Sequence, residues 1–95
     1  MRTYVLECRD REGAESLRAR HLEAHRSYLR SHEQMVRLAG PLLSDTSEPI
    51  GSLLFLSCAS RAEAVAFGEA DPFTQAGVFD SVIVREFKAE VGSKI

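Results

Sequence analysis

The spacing of apolar and polar residues changes period along this chain, and each change predicts an element. Thr3-Tyr4-Val5-Leu6-Glu7-Cys8 is a β-branched and aromatic run closed off by the charged, glycine-containing stretch Arg9 to Gly13, which reads as a strand. From Ala14 to His32 the period lengthens. At 100° per residue, Ala14, Leu17, His21, Leu22, His25, Tyr28, Leu29 and His32 share one side of a helix, with Glu15 at its margin. Arg20, Glu23, Arg26, Ser27, Arg30 and Ser31 fall elsewhere, and His25 lies at the centre of the apolar stripe.

Met35 to Leu43 reads as a second strand interrupted by Gly40-Pro41. Proline cannot donate a ladder hydrogen bond, so this strand belongs at a sheet edge. Ser44 to Pro49 is a polar turn, and Ser52 to Cys58 is a third strand. Leu53 and Phe55 point one way and Leu54 and Leu56 the other, so both faces need cover. Ser60-Arg61-Ala62-Glu63 has the form of a capping box and starts a second helix, whose Ala62, Val65, Ala66 and Ala70 make a thin apolar face. Asp71 precedes Pro72, which pushes it out of the helical region and stops that helix near Ala70. Val78 to Phe87 is a fourth strand, again apolar on both faces, and residues 89–95 form a loose tail in which Val91 and Ile95 could dock on a partner.

The order is βαββαβ. Two helices cover one face of a four-stranded antiparallel sheet in the ferredoxin-like α+β arrangement, where the second strand does lie at an edge. The uncovered apolar face is most simply buried against the same face of a second copy, giving a homodimer with two sheets packed face to face. Strands one and three are antiparallel neighbours in this order, so Cys8 and Cys58 fall at opposite ends of the sheet, too far apart for a disulfide.

Composition narrows the function classes. At 95 residues the chain fits one domain, residues 1–95, and 44% apolar with 27% charged residues is too apolar for a disordered protein. The net charge of -2, with Lys and Arg spread through both helical regions, gives no basic stripe for a nucleic acid. No apolar run is long enough for a membrane span, and the first residues enter a strand pattern without a signal-peptide core, so the expected compartment is the cytoplasm. The cysteines lack the C-x-x-C spacing of metal or redox chemistry, no phosphate-cradling glycine loop is present, and Ser52, Ser57 and the two cysteines sit in strands without an identifiable base nearby.

The candidate chemistry centres on His25 and Asp71. His21 and His25 are four apart, a common zinc spacing, but His21-Leu22-Glu23-Ala24-His25 is not H-E-x-x-H and no further ligand is aimed at that face, so neither a metal nor another cofactor is expected. His21 and His32 read as half-exposed ends of the stripe. A neutral imidazole at the position of His25 needs a partner for each ring nitrogen, or loses about 1–3 kcal/mol. Either backbone supplies it or Asp71 does. Asp71 itself has two readings. It is an N-cap for a turn opened by Pro72 and closed by Gly77, or it also faces a pocket and holds the histidine, fixing its tautomer for proton transfer. Gly40 reads equally as a close approach of a ligand and as a bend in an edge strand.

With these residues in view, the chain resembles the YCII family of the dimeric α/β-barrel group. The resemblance rests on Ala24-His25-Arg26-Ser27-Tyr28-Leu29, Leu38-Ala39-Gly40-Pro41-Leu42, Gly51-Ser52-Leu53-Leu54, Ala62-Glu63-Ala64, Asp71-Pro72-Phe73 and Ala76-Gly77-Val78-Phe79, and covers nearly all of Thr3 to Phe87. The family's motif histidine falls on His25 and its motif aspartate on Asp71. Members often carry an arginine three residues before that histidine, where this chain has Leu22, which weakens any anionic-substrate contact from that position. The resemblance implies a dimer with a small-molecule pocket near His25 and Asp71. The expectation is a cofactor-independent lyase or isomerase acting on a small carbonyl- or hydroxyl-bearing molecule, with His25 moving the proton, Asp71 orienting it, and Tyr4, Gly40 and Phe73 in the pocket wall. The rival expectation is a non-catalytic binding module for a small ligand or a protein, in which the pair is structural.

Overall fold

The computed structural model describes residues 1–92. Its elements run β1 (Arg2–Asp10), α1 (Glu15–Ser31), β2 (Val36–Leu43), β3 (Pro49–Cys58), α2 (Arg61–Ala70), α3 (Pro72–Gln75) and β4 (Phe79–Phe87). The four strands form one antiparallel sheet in the order β2-β3-β1-β4, the ferredoxin-like arrangement, with Pro41 on the edge strand as its missing N–H requires. β3 begins at Pro49, so the polar turn is shorter than its composition suggests. The β1–β3 register pairs Arg2 with Cys58 and Cys8 with Ser52, which sets the two cysteines at opposite ends; both are free and buried.

The helix-facing side of the sheet carries the core. Tyr4, Leu6 and Cys8 of β1, Leu54, Leu56 and Cys58 of β3 and Val84 of β4 are buried there, joined from above by Ala64, Phe67 and Phe73. The covered face of α2 differs from the expected one. Ala64, Phe67 and Gly68 turn inward, whereas Ala62, Ala66 and Ala70 are exposed. One phenylalanine with an i, i+3, i+4 neighbour set buries more apolar area than a row of alanines, and it fixes the rotation of the helix. Ser60 caps α2 through the Glu63 N–H at 3.3 Å, while the Glu63 carboxylate reaches the N–H of Ala59 at 2.7 Å.

The opposite face is uncovered in the isolated chain. Val5, Leu53 and Phe55 lie there with Leu38, Ile83 and Phe87, the last three between 38% and 52% exposed. Beyond β4 the described residues are exposed, Val91 among them at 97%; Ile95 lies outside the described residues. Among the described residues no helix is long and apolar enough to cross a membrane.

Candidate active site

Asp71 closes one helix and opens the next. It is the C-cap of α2 and the N-cap of α3, in extended conformation as the following proline dictates. Its Oδ1 accepts the N–H of Phe73 at 2.9 Å, the bond of an ordinary N-cap. The same oxygen accepts the Nδ1–H of His25 at 2.8 Å. The two readings of Asp71 are therefore one arrangement, in which capping immobilises the carboxylate that holds the imidazole. The turn ends in a Schellman motif, with Val78 N–H on the Phe73 carbonyl and Gly77 N–H on that of Thr74, and Gly77 adopts the positive φ of 81° that this closure requires.

Phe73 completes the setting. It is fully buried, and its ring stacks on the His25 imidazole at 3.9 Å with planes 9° apart. The carboxylate and the ring together fix the rotation of His25. Nδ1 is committed to Asp71, and among the described residues Nε2 has no hydrogen-bond partner. At the far end of the stripe His32 donates from Nδ1 to the Tyr28 carbonyl at 2.8 Å, and Tyr28 donates to the Phe67 carbonyl at 2.8 Å. These bonds tie down the end of α1 and leave His32 outside the site. Among the described residues no group of three or more His, Cys, Asp or Glu could hold a metal ion.

A cavity of about 770 Å³ opens between α1 and the β2–β3 edge of the sheet. It exists because α1 packs chiefly on α3, standing off β2 and β3. His25 lines it, as do Leu22, Gly40, Pro41 and Ser52. Gly40 is thus at the cavity, although a Cβ there would meet nothing within 4 Å, so no close approach demands glycine. Asp71 and Phe73 stand behind His25 and do not line the space. Tyr4, buried in the core at 3% exposure, is not among the lining residues either. It shares the helix-facing side of the sheet with Leu54 and Ser52, which do line the cavity, but pairs with Leu56, farther along β3.

The residue missed in the sequence is Arg18. It is 7% exposed and lines the cavity, with Nε 2.7 Å from Asp10 Oδ2 in a buried ion pair. Nη2 donates to Asp10 Oδ1 at 3.3 Å, to the Gly51 carbonyl at 2.7 Å and to Ser52 Oγ at 2.9 Å. The guanidinium carbon lies 4.7 Å from the centre of the Phe73 ring. Gly51 can offer its carbonyl there because it lies hard against β1, where a Cβ would run into the Cys8 carbonyl. The signal for Arg18 was present: seven residues before His25 is within 20° of two full helical turns. A cation therefore does face the cavity from α1, one turn before Leu22.

Fold and site together define a small α+β protein with a buried His–carboxylate pair at the wall of a ligand-sized cavity. The YCII-related domain model matches residues 2–88, and the chain belongs to the YCII family. Its structure is similar to that of 5-chloro-2-hydroxyhydroquinone dehydrochlorinase from Burkholderia phenoliruptrix AC1100, solved in complex with 2,5-dihydroxybenzoquinone. The two are 31% identical over 93% of this chain and 95% of that one, with a TM-score of 0.85. The Arabidopsis thaliana protein At3g17210 shares the fold alone, at 14% identity and a TM-score of 0.51 over 99% of this chain and 100% of that one. No match was found among curated proteins.

Proposed function

We propose that this chain is a cofactor-independent enzyme of the lyase or isomerase type acting on a small hydroxylated ring, with His25 as the proton-transfer group and Asp71 as its positioning partner. The observation that carries the reading is the 2.8 Å bond from His25 Nδ1 to a buried carboxylate, made by an imidazole that also borders the cavity. With Nδ1–H donated to Asp71, the neutral ring presents Nε2 as a lone-pair base to a ligand. Nε2 takes the proton of a ring hydroxyl. The O–H electrons then form a C=O bond, and the displaced π electrons either expel, with its bonding pair, a leaving group on a saturated ring carbon beside the double bond or take up the same proton at another carbon; a leaving group on an aromatic carbon departs by the first course only after the second has protonated that carbon. The first course is an elimination and the second an isomerisation, and neither needs an external oxidant or reductant. The dihydroxybenzoquinone bound by the 31% identical dehydrochlorinase supports a hydroxylated ring as the substrate class.

The test is turnover of a panel of chlorinated and unchlorinated hydroquinones, hydroxyquinones and cyclic acids, with His25→Ala as control. Turnover by the wild type that falls at least about 100-fold in the variant is expected, in the range general acid–base groups contribute. Ligand-induced thermal shifts lost in His25→Ala, with no panel member turned over, would instead identify a binding module.

We further infer that the working unit is a cytoplasmic homodimer of single YCII-like domains, formed through the open sheet face. Half-exposed Leu38 and Phe87 there flank Phe55, and Ile83 lies on the same face, an apolar surface that a second copy would cover. Sedimentation of the wild type as a dimer and of Ile83→Asp as a monomer is expected; a wild-type monomer at micromolar concentration refutes this.

A further inference from the structure

The cavity is larger than one hydroxylated ring requires. An apolar cavity of about 150 Å³ is enough to bind benzene, and this one, at about 770 Å³, has about five times that volume. The surplus lies on one side of His25. Along α1 the lining residues before it reach back about 15 Å to Glu15, whereas those after it end at Leu29, about 6 Å further on.

The sheet side of the cavity runs the same way. Arg18 bonds to Asp10 and to the Gly51 carbonyl, which sets the first turns of α1 beside the start of β3. Ile50 lies at that end, two residues before Ser52 and on the same face, and Leu54 lies about 13 Å further along the strand. Between these ends the buried polar side chains Arg18 and Ser52 are bonded to one another at 2.9 Å, and the neutral lining otherwise is apolar: Ala19, Leu22, Pro41, Pro49 and Ile50. Ile50 is 51% exposed at the mouth, apolar surface that a ligand reaching so far would cover. The carboxylates at this end are Glu15 and Glu48.

We propose that the substrate is a hydroxylated ring carrying an apolar substituent, which runs from the ring at His25 past Leu22 to Ile50 at the mouth. This inference rests on the ring-binding reading above and narrows its substrate class. A bare ring leaves most of the trough to water. Each methylene that replaces that water tightens binding about 4-fold where it is fully buried, and less where it is half covered. An anionic substituent gains less, because it would approach Glu15 and Glu48 at the same end. The trough thereby selects hydrocarbon chains on the ring over charged ones.

The experiment is isothermal titration of the wild type, under nitrogen, with hydroquinone and with methyl-, propyl- and hexylhydroquinone. Affinity should rise by about 2-fold to 4-fold for each carbon along the series. Hexylhydroquinone should also bind more tightly than the analogue whose chain ends in a carboxylate. Ile50→Ser should flatten the step from propyl to hexyl and leave hydroquinone binding unchanged. In methyl-labelled wild type, hexylhydroquinone should shift the Ile50 methyl resonances and hydroquinone should leave them in place, with Ile83 on the opposite face of the sheet as the unmoved control, a result that needs no variant to fold. A flat series, or an Ile50 signal unmoved at saturation with hexylhydroquinone, would overturn the extended substrate while leaving ring binding intact. If none of the hydroquinones binds, or if hexanol binds as tightly as hexylhydroquinone, both readings are overturned.

Discussion

Replacing Asp71 separates its two duties, because one oxygen performs both. Asp71→Ala removes an N-cap, which costs about 1 kcal/mol, within a range of about 0.5–2. It also strands the Nδ1–H of a histidine that is 6% exposed, which adds about 1–3 kcal/mol. The side chain is itself 2% exposed, so water cannot readily replace it. The variant should therefore lose about 2–4 kcal/mol, a large share of the stability of a small domain. Asp71→Asn keeps the shape and an acceptor oxygen, losing only the charge on both bonds, and should cost about 1 kcal/mol. Urea unfolding reads the stabilities, and ¹⁵N NMR of the imidazole reads the tautomer. Wild-type His25 should carry its proton on Nδ1, with the preference weakened in Asn and lost in Ala. If Asp71→Ala unfolds within about 1 kcal/mol of wild type, or if the tautomer is the same in all three proteins, the bond from His25 contributes nothing and the pair argument fails.

Other consequences follow from burial and sterics. Burial, with the charges of Asp71 and Asp10 adding to it, pushes the Cys8 thiol up to about 12 from an ordinary 9.0. The unfolded chain then ionises first, so stability should be fully present below pH 9 and fall as pH rises towards 12, by up to about 1.4 kcal/mol per pH unit from this group. Tyr28, raised by burial and by Asp71, and Cys58, raised by burial, act in the same direction; urea midpoints from pH 8 to 11 should slope downward, and less steeply in Cys8→Ala. The same protonation should keep Cys8 unreactive towards iodoacetamide at pH 8 in the folded protein, with rapid labelling disproving it. Gly51→Ala should destabilise strongly and disturb the Arg18 resonances, since its Cβ would displace the β1 backbone at Cys8.

Much of the fold was legible because β-branched runs, a proline on an edge strand and a capping box are local signals with one physical outcome each. Asp71 was legible for the same reason: Pro72 fixes its backbone, so a carboxylate at a known end of a known element could be matched to a histidine at a known helix phase. The errors share a cause. Counting alanines as an apolar face missed that Phe67 decides the rotation of α2, and following only the apolar and histidine positions of α1 passed over Arg18, a residue whose helix phase is close to that of His25. Tyr4 was expected in the pocket wall and lies in the core instead, because which part of the sheet borders the cavity depends on how α1 stands off it, which no local pattern encodes.

Two polar residues of α1, Arg18 and His25, border the space left by that standoff, and what the ion pair of Arg18 contributes to it can be tested. α1 directs Arg18 and His25 towards Phe73 where an ordinary core helix would present aliphatic side chains. Each needs a buried carboxylate, Asp10 or Asp71, and neither pair is an efficient way to stabilise a protein, since desolvation consumes most of what the charges gain. Exchanging the Arg18–Asp10 pair for hydrocarbon, as Arg18→Met with Asp10→Leu, should therefore be neutral or stabilising by up to about 4 kcal/mol. The single change Arg18→Met, which leaves Asp10 buried and alone, should cost about 3–5 kcal/mol. If the double variant gains stability while the binding of 2,5-dihydroxybenzoquinone expected of the wild type is lost, the pair is retained for ligand binding at the expense of stability. If it is as unstable as the single variant, the pair is a packing element, and the cavity owes its shape to the salt bridge itself.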